Sequence, residues 1–300
     1  MSEAQSITLA LHGDFRSGAG LAPCPICQPE GRRHQRALSI SERAGRLLLH
    51  CHKSGCAVFA ELQALGLIEG RGQKAAPPDP AEVAQRKRQE AAKEAKRLAV
   101  CHEIFNNART CEGTIAETYL AEVRGIEGLR YNKLKNTLRF HSEVLHTPSG
   151  QYLPAIIARI RAANGRAFGI HRTYLRPDGS GKSDVTPAKM MLGPSSGGAV
   201  RFGPNGPVIA LAEGIETALS VARASRLTVW ATLSTSGLKG LILPPPPVGE
   251  VVIICADNDE AGLSAAESKA AQLEAGGRAV SIIHPPKAGE DFNDVLRGKK

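Results

Sequence analysis

Carboxylate side chains follow two apolar segments in the last third of the chain. Glu213 comes directly after Val208–Ala212. Asp257 and Asp259 come soon after Val251–Cys255. Short apolar segments that alternate with helical patterns are typical of parallel strands joined by helices, and the carboxyl ends of such strands meet at one edge of the sheet. We therefore expect the three carboxylates to lie together and to bind Mg²⁺ (or Mn²⁺), which prefers oxygen ligands and positions phosphate groups.

A third acidic group, E-D-F-N-D at residues 290–294, follows the last predicted strand. Asp291 in this group is a further acid expected at the metal site. The alternative is that all three groups are ordinary helix caps, because carboxylates near a helix N-terminus are favoured by the helix dipole. Three such groups at successive strand ends favour the metal site.

Four of the seven cysteines form two close pairs. The pairs are C-P-I-C at residues 24–27 and C-H-K-S-G-C at residues 51–56, and two strand-like segments lie between them. Pairs of this kind supply four thiolates to a tetrahedral ion in zinc ribbons. The predicted ligands of a structural Zn²⁺ are Cys24, Cys27, Cys51 and Cys56. Two alternatives stay open: four unrelated buried thiols, or a site in which a nearby histidine replaces one cysteine. The nearby histidines are His34, His50 and His52.

A glycine-rich segment in the middle of the chain ends like a phosphate-binding P-loop. It reads G-S-G-K-S at residues 179–183, but Arg176 occupies the position of the first glycine of that motif. Pro187 interrupts the place where the motif needs a helix. We therefore interpret the segment as a turn, and no nucleoside triphosphatase motor is expected.

The sequence predicts an α/β protein of four parts. Residues 1–70 are expected to form the zinc ribbon, and residues 71–112 a linker and a long charged helix. Residues 113–204 are expected to form a basic α+β subdomain, in which Asn164-Gly165 between apolar runs predicts a hairpin. Residues 205–300 are expected to form a parallel-sheet domain. The charged helix is interpreted as a solvated spacer, and phosphate contact by its basic side chains is the alternative.

The net charge of +9 is unevenly distributed along the chain. Residues 113–204 carry 13 basic and 6 acidic side chains, whereas residues 205–300 carry 9 and 11. A basic surface beside an acidic metal site suits an enzyme that acts on nucleic acid, and random surface charge is the alternative. No apolar run approaches the ~20 residues of a membrane span, and no secretory signal is recognised, so no membrane partner is expected.

The acidic motifs resemble signatures of a known domain family. E-G-I-E-T-A-L at residues 213–219 and D-N-D-E-A-G at residues 257–262 resemble the two signatures of the Toprim domain, which occurs in bacterial-type primases, topoisomerases and some nucleases. The resemblance implies Glu213, Asp257 and Asp259 as metal-site acids. G-E-D-F-N-D-V-L at residues 289–296 is similar to a late motif of primase Toprim domains. Asp291 matches its aspartate, and Glu290 stands in the place of its lysine.

The middle of the chain and the cysteine region resemble primases as well. Residues 154–193 are similar to the basic subdomain that precedes the Toprim domain in bacterial primases. By that resemblance Arg172 and Lys189 bind template or incoming nucleotide, and Arg201 lies near a second basic position. The zinc ribbon is similar to the N-terminal module of primases. The order of parts is most similar to short primase-like Toprim proteins of plasmids, phages and mobile elements, which carry no helicase domain.

The resemblance implies a DNA primase, a nucleotidyltransferase that makes short RNA primers on single-stranded DNA during replication of a plasmid, phage or mobile element. Its implied partners are the template, nucleoside triphosphates and a separate replicative helicase. The implied location is the cytoplasm, at the nucleoid or a replicon. Glu213 acts there either as a metal ligand or as a general base. The alternative functions are a non-catalytic single-stranded DNA-binding accessory protein and a metal-dependent Toprim nuclease.

Overall fold

Two compact units make up the chain, residues 1–82 (the amino-terminal unit) and residues 83–300 (the carboxyl-terminal unit). A computed structural model describes residues 2–31, 35–43, 46–68 and 80–298, without the side chains of residues 80 and 82. Each unit has a hydrophobic core of its own.

The amino-terminal unit contains an antiparallel four-stranded sheet, which one helix precedes and another follows along the chain. Its elements are α1 (Glu3–Ala10), β1 (Asp14–Arg16), β2 (Ala19–Ala22), β3 (Leu38–Arg43), β4 (Arg46–Cys51) and α2 (Val58–Ala64). The strands pair in the order β1-β2-β3-β4. Leu38 and Ile40, two alternate residues in the first half of β3, are buried and pack with Ile7 of α1 and Leu62 of α2. The two strands predicted between the cysteine pairs are confirmed as β3 and β4.

A long helix opens the carboxyl-terminal unit. The first elements are α3 (Pro80–Asn107), α4 (Ile115–Thr118), a π-helical turn (Tyr119–Val123) and α5 (Tyr131–Leu134). Side chains over residues 84–97 of α3 are exposed, as a solvated helix requires. Near the end of α3, Cys101 and Phe105 are buried against the sheet that follows.

The first sheet of this unit is antiparallel, with the order β5-β6-β7-β8. Its strands are β5 (Leu138–His146), β6 (Gln151–Arg161), β7 (Ala167–Tyr174) and β8 (Lys189–Leu192). The predicted hairpin at Asn164-Gly165 is confirmed, since it joins the paired strands β6 and β7. One face of the sheet packs on Phe105 of α3 through Ile157, and the other face packs through Ile156 on the second sheet. The alternation along β6 thus places the first sheet between α3 and the second sheet.

The second sheet is mainly parallel, with the order β13-β12-β10-β11-β9. Its strands are β9 (Val200–Phe202), β10 (Val208–Ala212), β11 (Val229–Ala231), β12 (Val251–Cys255) and β13 (Ala279–Ile283). Its helices are α6 (Ile215–Ser225), α7 (Thr235–Gly240), α8 (Glu260–Ala275) and α9 (Phe292–Leu296). Only β9 runs antiparallel to its neighbour. The predicted parallel sheet with crossover helices is therefore confirmed.

Among the residues that the structure describes, no helix has the length and apolar character needed to cross a bilayer.

Candidate active site

The sheet topology creates a crevice between β10 and β12. The chain leaves β10 through α6 toward β11 on one side, and it leaves β12 through α8 toward β13 on the other side. The two connections diverge, and such a switch point is where open α/β sheets bind ligands. Ala212 pairs with Cys255 at the ends of these two strands. Glu213 and Asp257 therefore emerge beside each other at the carboxyl edge of the sheet.

Asp259 lies at the start of α8, where it is the N-cap residue. Its Oδ1 accepts a hydrogen bond of 2.7 Å from the backbone N–H of Gly262. A Cβ atom on Gly262 would lie 2.6 Å from the carbonyl oxygen of Asp257. Glycine at position 262 thus lets the helix begin directly against the acidic loop.

Asp291 is brought to the same edge by a loop that is tied to Asn258. The N–H of Asn258 donates to the carbonyl oxygen of Glu290 over 3.0 Å, and the N–H of Gly289 donates back to Asn258 over 2.7 Å. Asp291 caps α9 through Oδ1, and its Oδ2 accepts a hydrogen bond of 3.4 Å from Thr217. Asp259 and Asp291 therefore are helix caps, as the alternative interpretation held, and their charges also act on Asp257.

Four acids, here called the acid cluster (Glu213, Asp257, Asp259 and Asp291), surround this edge, and the pKa values of Glu213 and Asp257 are raised there. Burial, followed by the charges of Asp291, Glu213 and Asp259, raises the pKa of Asp257 to about 7. Burial and the charge of Asp259 also raise the pKa of Glu213. Partly buried carboxylates whose pKa values are raised by burial and by neighbouring acids are typical of functional sites.

The acid cluster fits a divalent cation. Asp257 Oδ1 is buried and has no hydrogen-bond partner, which is costly unless an ion or water satisfies it. Carboxylate oxygens are the ligands that Mg²⁺ and Mn²⁺ prefer. Among the described residues, no three of these acids have carboxylate oxygens that all lie within 4.8 Å of one another. At most two of these carboxylates could therefore ligate one ion directly in this arrangement, and water would have to complete its coordination.

The three predicted basic residues have different surroundings. Lys189 begins β8, and 44% of its side chain is exposed. Arg172 is only 4% exposed and donates to the carbonyl oxygens of Leu145 and Met191. Arg201 is 7% exposed and stacks over the ring of Trp230 at 3.9 Å. Both arginines are thus buried and held by contacts within the protein, whereas Lys189 is partly exposed, and a nucleic-acid or nucleotide contact by any of the three stays a prediction.

Two charged residues near the acid cluster were not predicted, Glu216 and Lys182. Glu216 lies in the first turn of α6 and is 4% exposed, and Lys182 Nζ lies 3.1 Å from its Oε1. A carboxylate on the apolar face of a helix is a sequence signal for a charged partner. Lys182 carried no such signal, because it stands in the turn at residues 176–183. That segment is a turn, as predicted, and no helix follows it.

The cysteine cluster lies in the amino-terminal unit. The Sγ atoms of the four predicted cysteines all lie within 4.8 Å of one another. Cys27 Sγ and Cys51 Sγ are 3.6 Å apart, close to the ~3.8 Å that a tetrahedral site with ~2.3 Å Zn–S bonds requires. Although burial raises the pKa of Cys51, backbone N–H groups of Ser54, Cys56 and Lys53 bring it down to about 5.

These thiols therefore fit Zn²⁺, and four cysteines complete the ligand set. The exposed His52 ring instead contacts Ser39 Oγ at 3.1 Å, and His50 packs edge-on against His52. Neither joins the cluster of thiols. His34 lies outside the described residues.

Residues 208–300 match the family model of the Toprim domain. This segment is a Toprim domain. Residues 95–202 match the model of a domain of unknown function (DUF7146). The Toprim domain contains β10–β13 and all four residues of the acid cluster. The DUF7146 segment contains the first sheet together with Lys182 and Lys189.

Solved structures of primases resemble this chain at low sequence identity. A DNA primase domain from Pseudomonas aeruginosa is 17% identical, with 68% of this chain and 75% of that chain covered and a TM-score of 0.44. The zinc-binding and RNA polymerase domains of Aquifex aeolicus primase are 13% identical, with coverage of 100% and 83% and a TM-score of 0.46. The primase fragment of the bacteriophage T7 primase-helicase protein is 18% identical, with coverage of 58% and 69% and a TM-score of 0.39. No curated protein matches the chain.

Proposed function

We propose that this protein is a primase-like nucleotidyltransferase that joins ribonucleotides into short RNA primers on single-stranded DNA. The observation that carries the proposal is the acid cluster at the switch point of the Toprim domain, with the unpartnered Asp257 Oδ1 inside it. Lys189 lies within electrostatic reach of Glu213 and Asp257, and 44% of its side chain is exposed. Carboxylates for a cation and a lysine for phosphate are the groups that nucleotidyl transfer needs.

The proposed reaction is an in-line displacement at phosphorus. The 3′-hydroxyl oxygen of the growing primer forms a bond to the α-phosphorus of the incoming nucleoside triphosphate. The bond from that phosphorus to the bridging oxygen breaks, pyrophosphate leaves, and the hydroxyl proton passes to Glu213 or to water. When bound, Mg²⁺ or Mn²⁺ supplies neutralisation of the phosphate charge. The acid cluster holds the cation, and Lys189 contacts phosphate oxygens.

We further propose that the basic segment, residues 113–204, guides the DNA template and that the cysteine-bound zinc stabilises a module that holds single-stranded DNA. The net positive charge of that segment supports a phosphate-binding surface. The resemblance to short primase-like proteins supports a role in replication of a plasmid, phage or mobile element beside a separate helicase.

A primer-synthesis assay with Glu213→Gln tests the function. Wild-type protein should form short labelled RNA from the four ribonucleoside triphosphates and Mg²⁺ on varied single-stranded templates. The variant should lose at least about a hundredfold in rate, because a carboxylate that holds the cation is gone. Its DNA affinity should stay within about twofold, since affinity rests mainly on basic side chains. Glu274→Gln, an exposed carboxylate on α8, is the matched control.

The same assay separates the alternatives. Cleavage of DNA by the protein with Mg²⁺, in the absence of nucleotides, would identify a nuclease. DNA binding without primer synthesis or cleavage would identify an accessory protein, and either result would overturn the proposal.

A further inference from the structure

Glu216 is a deeply buried carboxylate in contact with four polar partners. Tyr119 Oη donates to its Oε1 over 2.8 Å, and Lys182 Nζ lies 3.1 Å from the same oxygen. Arg124 Nη2 lies 3.8 Å from Oε1, and Lys189 Nζ lies 3.9 Å from Oε2. These five residues are called the Glu216 cluster. They come from α6, from the π-helical turn and the residue after it, from the turn between β7 and β8, and from the start of β8, so the carboxylate joins the Toprim domain to the basic segment.

The Glu216 cluster contains more positive than negative charge. One carboxylate faces three cations, which leaves an excess of two positive charges. Burial opposes ionisation of Glu216, but Lys189, Lys182 and Arg124 hold its pKa well below its usual range. The side chains of Lys182 and Lys189 are 28% and 44% exposed, so both are partly open to solvent. An exposed excess of cations is suited to a polyanion.

The Glu216 cluster borders the acid cluster. Burial raises the pKa values of Glu213 and Asp257, and the positive charge of Lys189 opposes both rises. Lys189 therefore lies within electrostatic reach of the acids and also of Glu216. A ligand that spans the two clusters would place some phosphates at the acids with their cation and the others at the lysines.

The backbone that carries Lys182 is fixed independently of Glu216. The N–H of Arg176 donates to Gly181 over 3.0 Å, and the N–H of Ser183 donates to Tyr174 over 2.9 Å. A Cβ atom on Gly179 would lie 3.0 Å from the carbonyl oxygen of Ile115, so the turn packs tightly on α4. Only the end of the flexible lysine side chain depends on Glu216 for its placement.

We propose that Glu216 is a positioning residue, which holds the ammonium groups of Lys182 and Lys189 so that both contact the phosphates of one incoming nucleoside triphosphate. The proposal rests on the function proposed above, since it names the triphosphate as the ligand of this site. It assigns to Lys182, in the turn that resembles a P-loop, contact with phosphate. Glu216 itself touches no ligand.

Direct binding of Mg²⁺–ATP and of Mg²⁺–tripolyphosphate, measured by calorimetry, tests this inference without primer synthesis. Lys182→Gln should weaken binding of both probes about tenfold, as loss of one charge-assisted contact predicts. Glu216→Gln should weaken it by a similar factor, because the lysines are released from their placement. Glu216→Asp should recover part of the affinity. Lys239→Gln, an exposed lysine of α7, should bind like the wild type.

The double variant Glu216→Gln/Lys182→Gln shows whether Glu216 acts through Lys182. Its loss of affinity relative to the wild type should be much smaller than the product of the two single losses, because the effects of residues in one network are not additive. This variant also keeps the wild-type excess of charge, and if Glu216→Gln alone does not fold, the affinity of the double variant is compared with that of Lys182→Gln. Where primers form, the variants should raise KM for nucleotide more than they lower kcat.

Two outcomes would overturn the inference: unchanged affinity in Glu216→Gln and Lys182→Gln, or losses that multiply in the double variant. A lower melting temperature with unchanged affinity would show Glu216 to be merely structural, which also overturns it. If the variants weaken tripolyphosphate binding but the wild type makes no primer, the proposed polymerase function fails while the assigned phosphate site stands.

Discussion

Asp257 combines burial with three like-charged neighbours, and this makes its ionisation costly. Its pKa of about 7 in the folded chain lies above the ~3.9 of an unfolded aspartate. Between these values the folded state holds a proton that the unfolded state has lost. The contribution of Asp257 to the free energy of unfolding is therefore most favourable below about pH 4, and it decreases as the pH rises toward 7.

Asp257→Asn should stabilise the protein in a buffer without divalent cations, and more at pH 8 than at pH 5. The amide keeps the shape of the carboxyl group but never ionises. Thermal unfolding followed by Trp230 fluorescence measures the effect, since Trp230 is the single tryptophan and is fully buried in the second sheet. Adding Mg²⁺ at pH 8 should raise the melting temperature of the wild type and leave that of the variant nearly unchanged. An equal gain at both pH values would contradict the assigned pKa.

The sequence indicated the acids more clearly than the cations. Glu213 and Asp257 follow apolar strands, and the position of a strand end in a parallel sheet is fixed by local pattern. Arg172 and Arg201 were candidates for binding only through the resemblance to primases, and nothing in their local pattern indicated their surroundings. Their guanidinium groups are accommodated by backbone carbonyl oxygens of Leu145 and Ala162, which are distant in sequence. Contacts of that kind leave no local signal.

At the scale of elements, the start of α8 controls the placement of Asp257 and Asp259. Gly262→Ala should destabilise the Toprim domain by roughly 1–3 kcal/mol, the usual cost of overpacking, because the new methyl group meets the Asp257 carbonyl oxygen at 2.6 Å. It should also weaken Mg²⁺ binding, because the acidic loop has to move.

Gly240→Ala is the matched control for this substitution, since a Cβ atom there has no neighbour within 4 Å. It lies at the end of α7, where alanine favours the helix by up to about 1 kcal/mol. Melting temperature and calorimetric Mg²⁺ affinity distinguish the two variants. Equal behaviour of the two would show that the close approach at position 262 does not govern the loop.

Elements with a repeating hydrophobic pattern could be predicted from the sequence. One strand, whose pairing partner is distant in sequence, could not. The hairpin at Asn164-Gly165 and the parallel strands were predicted by alternation and by turn residues. Strand β9 belongs by sequence to the basic segment, but it pairs with β11 of the second sheet. Its three residues are too few for their pattern to indicate which sheet edge they complete.

Over the whole molecule, the distribution of charge matches the two proposed roles, phosphate contact by the basic segment and cation binding by the acid cluster. The surplus of basic residues lies in residues 113–204, and the acid cluster lies in the Toprim domain. Glu216 connects the two segments, because its cations come from the basic one. An overall net charge of +9 therefore conceals a boundary at which acids and bases meet. From the sequence, this boundary was visible only as a surplus of basic residues followed by a surplus of acidic residues. The buried carboxylate that joins the two segments could be recognised only in the structure.

The two compact units also predict separate responses to loss of zinc. Structural Zn²⁺ contributes about 10–16 kcal/mol of binding free energy in small domains. The four thiols and the small core around Leu38 and Ile40 belong to the amino-terminal unit alone. A chelator, or Cys51→Ser, should therefore unfold that unit and abolish hydrogen-exchange protection of β3 and β4. The emission maximum of Trp230 and the midpoint of thermal unfolding followed by its fluorescence should stay unchanged.

Cys101→Ser is the control for this experiment. The Cys101 thiol lies in the carboxyl-terminal unit and donates to the carbonyl oxygen of Leu192 over 3.2 Å, a bond that a serine hydroxyl also makes. This variant should keep one zinc ion per chain by metal analysis. Cys51→Ser should retain less than a tenth of it, since a three-thiolate site loses affinity steeply. A shift of Trp230 emission on zinc removal would show instead that the fold of the carboxyl-terminal unit depends on the zinc module.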